Sequence, residues 1–193
     1  MKLRIEDKIL APNGKMFLFK KWLIENNAKK MFSDRKIKSI YFDNKLLDMF
    51  NNSEEGVVPR KKIRLRSYNN DSKYNLEVKI TNEQGRSKYT EKLKPNAEIL
   101  KKGLLDNQYG ICYPQTEVEY IRQYYLVFNF RVTIDSELQY SSINKIFLKK
   151  DSRPVIEIKS IDSTFKEDCF NLFPFERSRF SKYCESIKFL KKN

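Results

Sequence analysis

The stretch 61-KKIRLRSYN-69 decides how the chain folds. If it is extended, Arg64, Arg66 and Tyr68 share one face and Ile63 and Leu65 the other, because strand side chains alternate with period two. In an ordinary half-buried strand the apolar face meets the core and the cations meet water. The direction in which these two arginines point therefore separates a conventional sheet from one with a charged interior.

Working outward, the same pattern recurs. RIEDKIL (4–10), KSIYFD (38–43), NLEVKI (75–80), SKYTEKL (87–93), EVEYIRQYYLVF (117–128), FRVTIDSEL (130–138) and RPVIEIKS (153–160) alternate or are rich in β-branched and aromatic residues, which predicts about eight strands with KIRLRSY (62–68). NEQG (82–85) carries turn chemistry, so residues 75–93 read as a hairpin. Helical spacing appears in 15–27, in 96–107 and in 178–190, where Phe180, Tyr183, Cys184, Ile187 and Leu190 form one stripe.

The polar faces of these strands are charged rows: Arg4, Glu6 and Lys8; Arg64 and Arg66; Glu77 and Lys79; Lys88 and Lys92; Arg122 between Tyr120 and Tyr124; Arg131, Thr133 and Asp135; Glu157 and Lys159. Solvent-facing rows of a sandwich would be expected to carry Thr, Ser, Gln and mixed charges. Cations recurring at strand centres instead predict a closed antiparallel β-barrel with a charged lumen and with helices packed outside, an α+β chain that is mainly β. Like charges withdrawn from water cost several kcal/mol each without partners, so such a lumen needs a polyanion. Phosphate chains fit, with a carboxylate or two holding Mg2+ or Mn2+.

Composition narrows the chemistry further. The chain has 193 residues, no histidine and a formal charge of +14, from 39 Lys and Arg against 25 Asp and Glu. Without histidine a Ser-His-Asp triad, a Cys-His pair and a His-ligated metal are excluded. Cys112, Cys169 and Cys184 are odd in number, widely spaced and without a CxxC pattern, which argues against a disulfide framework or zinc site. No linker, repeat, signal peptide or apolar run of roughly 18 residues interrupts the sequence, so a single cytoplasmic domain over 1–193 is expected. The strong positive charge suits nucleic acid, an anionic membrane or a phosphate-rich substrate.

RIEDKIL, SIYFD followed by KIRLRSY, LEVK with Gly85 and Lys88 behind it, EYIRQYY, RVTID, VIEIK and finally RFSKY resemble, in that order, the catalytic domain of the vacuolar transporter chaperone polyphosphate polymerases. That domain belongs to the triphosphate tunnel metalloenzymes, relatives of the CYTH phosphatases. The resemblance implies that Lys8, Arg64, Arg66, Lys79, Lys88, Arg122 and Arg131 cradle phosphates. It implies that Arg179, Ser181 and Lys182 reach in from the C-terminal helix, Arg179 standing where the family often has lysine. It implies Glu157 as the holder of Mn2+ or Mg2+, with Glu6 assisting, while Lys92 and Lys159 share the appropriate faces. The first strand reads Arg4-x-Glu6-x-Lys8 rather than the Glu-x-Glu-x-Lys of the CYTH branch, which favours the polymerase branch.

The implied reaction transfers the γ-phosphoryl group of ATP to a growing polyphosphate chain. If water attacks instead, the same residues make a triphosphatase acting on inorganic triphosphate, a nucleotide or an RNA 5′ end. A third reading is a non-catalytic module that binds polyphosphate or nucleic acid, with Tyr68, Tyr120 and Tyr124 available for stacking; Glu157 argues against it, since a carboxylate there only repels a bound anion. The expected partners are ATP with polyphosphate or triphosphate, and a membrane protein for product export, rather than nucleic acid. Neither the inositol-phosphate sensing domain nor the membrane segments found around eukaryotic members is expected. Glu77 is expected to pair with a cation and Asp135 to orient Arg131.

Overall fold

A computed structural model describes residues 6–10, 13–93, 97–160 and 175–192. Along the chain come β1 (Glu6–Leu10), α1 (Asn13–Glu25), β2 (Lys29–Asp43), α2 (Asp48–Glu55), β3 (Arg60–Tyr68), β4 (Tyr74–Asn82), β5 (Gly85–Leu93), α3 (Ala97–Lys102), β6 (Leu104–Asp106), β7 (Gly110–Val127), β8 (Phe130–Ser142), β9 (Leu148–Asp151), β10 (Val155–Ser160) and α4 (Lys182–Leu190). The expected strands and the 75–93 hairpin form. The strand expected at 38–43 begins earlier, at Lys29, and α2, β6 and β9 are additions.

The hydrogen-bonded order is β1-β10-β8-β7-β2-β3-β4-β5, with β6 on β7 and β9 on β8. This order has two ends, so among the described residues the sheet is not the closed barrel the charged rows predicted. The reason is visible in β5: most of its residues are exposed, and it carries Arg86, Lys88 and Lys92. A charged, solvated edge resists further pairing, whereas closure needs a partner strand in matching register and tilt.

The chain packs as two compact units, residues 1–35, 120–138 and 150–180 in the first, and 36–119, 139–149 and 181–193 in the second. The first unit has a conventional apolar side. Ile9, Val132, Ile134, Ile156 and Ile158 alternate out of β1, β8 and β10 onto Met16, Phe19 and Leu23 of α1. Each fully buried side chain of this size contributes about 1.5–3 kcal/mol. Phe128 and Asn129, both at positive φ (48° and 63°), turn β7 back into β8 in two residues, the conformation that suits the strands' right-handed twist.

In the second unit α2 starts without a side-chain cap at its own first residues. Asp43, at the end of β2, supplies one: its carboxylate accepts from the backbone N–H of Met49 at 3.1 Å and of Phe50 at 2.9 Å. The same carboxylate accepts the Tyr183 hydroxyl of α4. The helix expected over 96–107 ends instead at Lys102. Gly103, at φ +80°, lets the backbone pass where a Cβ would lie 2.6 Å from the Cys112 carbonyl oxygen, and the chain continues into β6.

Candidate functional site

The arginines of the opening stretch point to the covered side. In the second unit, register places Ser39, Arg66, Asn75 and Lys92 in one row across β2 to β5, Tyr41, Arg64, Glu77 and Thr90 in the next, and Lys62, Lys79 and Lys88 in a third. Arg66 is only 5% exposed and Glu77 1%. Glu77, the one carboxylate on this face of β3–β5, is the hub. Arg64 donates to it from Nε at 2.8 Å and from Nη2 at 2.5 Å, Lys88 donates at 2.5 Å, and Arg66 lies 3.6 Å away. The expectation that Glu77 pairs with cations holds.

One carboxylate among so many cations leaves a positive field. Burial pushes the Glu77 carboxyl up, but Arg64, Arg66 and Lys88 overcome it and hold the group well below the usual carboxylate range. Tyr41 gives a second reading of that field. Its hydroxyl accepts from Arg64 Nη1 at 3.0 Å; although burial opposes ionisation, the charges of Arg64, Arg66 and Lys182 bring the phenol below its ordinary value. Lys182, at the start of α4, therefore acts on the same face. Its neighbour Ser181 caps α4 by accepting from the Cys184 N–H and accepts Lys62 Nζ at 2.8 Å. Tyr183 stacks on Tyr41 with centroids 5.2 Å apart. So α4 covers the charged side of this unit, where the sequence placed helices outside.

The first unit carries its own charged face. Across β1, β10 and β8 the register aligns Glu6, Lys159 and Arg131, then Lys8, Glu157 and Thr133. Glu157 is 6% exposed, receives an ion pair from Lys159, and lies 4.0 Å from Arg122 Nη2. Arg122 forks onto Asp135, Nε at 2.5 Å and Nη2 at 2.7 Å. Burial alone would favour a neutral guanidinium, but Asp135 raises its pKa well above the ordinary value. Asp135 thus orients Arg122, not Arg131 as expected; the fork across β7 and β8 satisfies both carboxylate oxygens. Lys8 donates to the Phe180 carbonyl at 3.0 Å.

The expected residues distribute over these two faces. Arg64, Arg66, Lys79, Lys88, Lys92, Ser181 and Lys182 belong to the second unit; Glu6, Lys8, Arg122, Arg131, Glu157, Lys159 and Arg179 belong to the first. Arg131, half-buried, and Lys92, exposed, make no hydrogen bond or ion pair among the described residues. Arg179 is exposed. Arg4 and Cys169 lie outside the described residues; Cys112 and Cys184 are free and buried, and burial pushes the Cys112 thiol to about 11.

Residues 3–102 match the family described as the VTC domain. The chain belongs to the VTC domain family. The VTC match covers the rows of β1 to β5, and solved structures extend the likeness over nearly the whole chain. An adenylyl cyclase candidate from Hippeastrum, described as having a dominant triphosphatase activity, superposes with TM-score 0.62 at 14% identity over 96% of each chain. An adenylate cyclase candidate from Vibrio parahaemolyticus gives 0.59 at 14% identity, covering 97% of this chain and 98% of its own. A protein from Pyrococcus horikoshii gives 0.57 at 16% identity, covering 94% and 99%. These identities establish a shared fold. No curated protein sequence matches the chain significantly.

Within this VTC domain four polar residues near the rows escaped the expected set: Tyr41, Lys62, Asp135 and Thr133 as site members. Strand alternation placed Thr133 and Asp135 on their row, with Asp135 expected only to orient Arg131 and Thr133 given no role. Tyr41 and Lys62 needed the β2–β3 and α4 contacts. Thr133 is the most informative. It is 4% exposed, sits opposite Glu157 in register, and among the described residues its hydroxyl has no hydrogen-bond partner. Buried hydroxyls are nearly always satisfied, so an orphan beside a buried carboxylate marks a place for a ligand.

Among the described residues no three acidic or thiol side chains gather as a ready-made metal cage, and no helix is long and apolar enough to cross a membrane. A hard divalent cation does not require such a cage, since Mg2+ is commonly held by one or two carboxylates with substrate phosphates completing its shell. Glu157 with the Thr133 hydroxyl fits that donor set, provided Lys159 yields its place.

Proposed function

We propose that this VTC domain is a metal-dependent polyphosphate polymerase that moves the γ-phosphoryl group of ATP onto the end of a polyphosphate chain. The observation that carries the reading is the cation face of β3–β5, where Arg64, Arg66 and Lys88 converge on the one carboxylate of Glu77 and Lys62 and Lys79 share the next row. Cations gathered on one face of a sheet suit a polyanion, and guanidinium groups match phosphate oxygens in charge and geometry. The VTC match and the first-strand pattern favour a phosphate acceptor over water.

In this reading Arg64 and Arg66, braced by Glu77, hold phosphate oxygens, and Lys79, Lys88 and Lys92 extend the row. Arg122, braced by Asp135, and Lys8, Arg131 and Lys159 do the same in the first unit, while Arg179 and Lys182 add charge beside α4. Glu157, with Thr133 and with Glu6 on the neighbouring strand, would hold Mn2+ or Mg2+; the metal, when bound, supplies Lewis-acid neutralisation of the phosphate oxygens. An oxygen of the chain terminus forms a bond to the γ-phosphorus as the bond to the β,γ-bridging oxygen breaks, and ADP departs. The attacking oxygen is already ionised, so no general base is needed. Fixed cations stabilise the transferring group without reorganising.

Hydrolysis is the second reading, favoured by the triphosphatase activity described for the Hippeastrum protein. Incubating the chain with ATP and Mn2+ or Mg2+ and resolving products by gel distinguishes the two. A ladder of long chains is expected; orthophosphate alone would establish the triphosphatase, and neither product despite tight triphosphate binding would leave a binding module. Glu157→Gln is expected to abolish turnover while leaving ATP binding largely intact.

A further inference from the structure

The turn that joins β8 to β9, in the second unit, carries four large apolar side chains that none of the described residues covers. Ile146 is 71% exposed, and Ile143, Phe147 and Leu148 between 38% and 49%. Residues 143–149 are all exposed, so the turn stands out as a tip rather than lining a groove.

Hydrogen bonds fix its shape. Ser142 N–H donates to the Phe147 carbonyl and Lys145 N–H to the Ser142 carbonyl, each at 3.0 Å. Asn144 Oδ1 accepts from the Ser142 hydroxyl at 2.6 Å and from Ile146 N–H at 3.2 Å, while Ser142 Oγ accepts from Phe147 N–H at 3.1 Å. Lys145, at φ +61°, pins the turn to the sheet by donating to Glu117 of β7 and to Ser141. The apolar side chains are thus held outward on an ordered backbone, and an ordered surface loses little conformational entropy when something covers it.

Cations stand beside the tip. Lys149 Nζ lies 5.9 Å from the centre of the Phe189 ring, which brings the last turn of α4 next to β9. Lys149, Lys191 and Lys192 are exposed, while Lys188 is committed to Glu54 and Glu185. A specific protein interface takes roughly 20–30 residues a side, more than one turn supplies, and a projecting tip would need a matching cavity in its partner. A lipid bilayer needs neither. Apolar side chains enter the boundary between headgroups and acyl chains, and the ammonium groups beside them meet anionic headgroups.

We infer that the β8–β9 turn docks the chain on an anionic bilayer, with Ile143, Ile146, Phe147 and Leu148 entering the interface and Lys149, Lys191 and Lys192 meeting the headgroups. This docking does not depend on the phosphate-binding role of the arginines, and it sets whatever chemistry the chain performs at a membrane surface.

The test is sedimentation of the full chain with vesicles of phosphatidylcholine alone and of phosphatidylcholine mixed with phosphatidylserine. Binding to the mixed vesicles only is expected. Replacing Ile146 and Phe147 together by Ser is expected to weaken it by about tenfold or more, with little change in melting temperature. Lys149→Glu with Lys192→Glu is expected to weaken it by about tenfold. Ile146→Trp keeps the tip apolar, and its fluorescence, added to a chain whose only tryptophan is Trp22, is expected to shift to the blue on mixed vesicles. The arginine rows also attract anionic lipid, so the binding is repeated in saturating tripolyphosphate and is expected to persist. No binding of the unaltered chain to mixed vesicles, equal binding to both kinds, binding that the serine variant leaves unchanged, or an unshifted spectrum would each overturn the membrane anchor. Release by tripolyphosphate would overturn it too, assigning the lipid to the arginine rows, and a serine variant that only turns a dimer into a monomer would assign the tip to a second copy of the chain.

Discussion

Glu77 has three cationic neighbours and almost no water, and its role follows from that imbalance. Breaking a buried pair by removing one partner costs about 3–5 kcal/mol, because the charges left behind stay buried. Glu77→Gln should therefore lower the urea-unfolding stability of the ligand-free chain by about that amount. The pH dependence has a definite sign. The carboxyl is depressed in the fold, so its contribution is complete above its unfolded value of about 4.3 and is lost as pH falls through the lower folded value. The gap between wild type and Glu77→Gln should be full at neutral pH and shrink as the medium is acidified below about 4.3; a gap that stays constant would mean Glu77 is not held ionised. At this scale the sequence was readable where alternation alone decides. The faces of Arg64, Arg66 and Glu77 followed from period two, but the identity of each partner did not, and Asp135 turned out to serve Arg122 because pairing between strands is not encoded in the spacing within one.

Elements were legible where the local pattern is self-sufficient and lost where a distant residue makes them. The first half of β2, KKMFSDRKI, has no alternation of polarity; its strand character is supported by contacts such as Lys36 with Glu119 and Asp34 accepting from Gln123, which lie far off in the sequence. Helix α2, DMFNNSEE, is poor in strong helix formers and depends on Asp43 for its cap. The helix at 178–190 was expected too long by four residues because Phe180 fits the stripe, whereas Ser181 is the cap that starts α4. That cap gives a test separating two roles of Ser181. Ser181→Ala removes the acceptor for Cys184 N–H and for Lys62, and should cost about 1 kcal/mol in urea unfolding. Ser181→Asp keeps a capping oxygen and a partner for Lys62, so stability should be retained while a new negative charge weakens tripolyphosphate binding. Unchanged tripolyphosphate affinity in Ser181→Asp would detach the start of α4 from the phosphate face.

At the scale of the whole molecule, alternation tells which face of a strand a residue occupies but not which strand lies beside it. Nothing in the local sequence places β10 between β1 and β8, and the inference from charged rows to a closed barrel went one step beyond what those rows contain. The charge excess behind that inference has a consequence of its own. A net +14 repels itself, while the pairs centred on Glu77 are buried and little screened. Added salt should thus raise the melting temperature of the ligand-free chain by screening the repulsion between surface charges. Bound tripolyphosphate relieves the same repulsion from within, and at a fixed concentration of about 100 times its low-salt Kd should add about 2.7 kcal/mol at low salt, a rise of roughly 5–10 °C for a chain of this length. That increment draws on long-range attraction as well as on direct contact, so it should fall as the screening length contracts from about 10 Å at 0.1 M salt to about 3 Å at 1 M. Melting curves with and without tripolyphosphate across that range should show the two salt effects with opposite signs. A ligand increment that ignores salt would mean the anion is held by a few neutral contacts, and the cation rows would then lose their role as the source of its affinity.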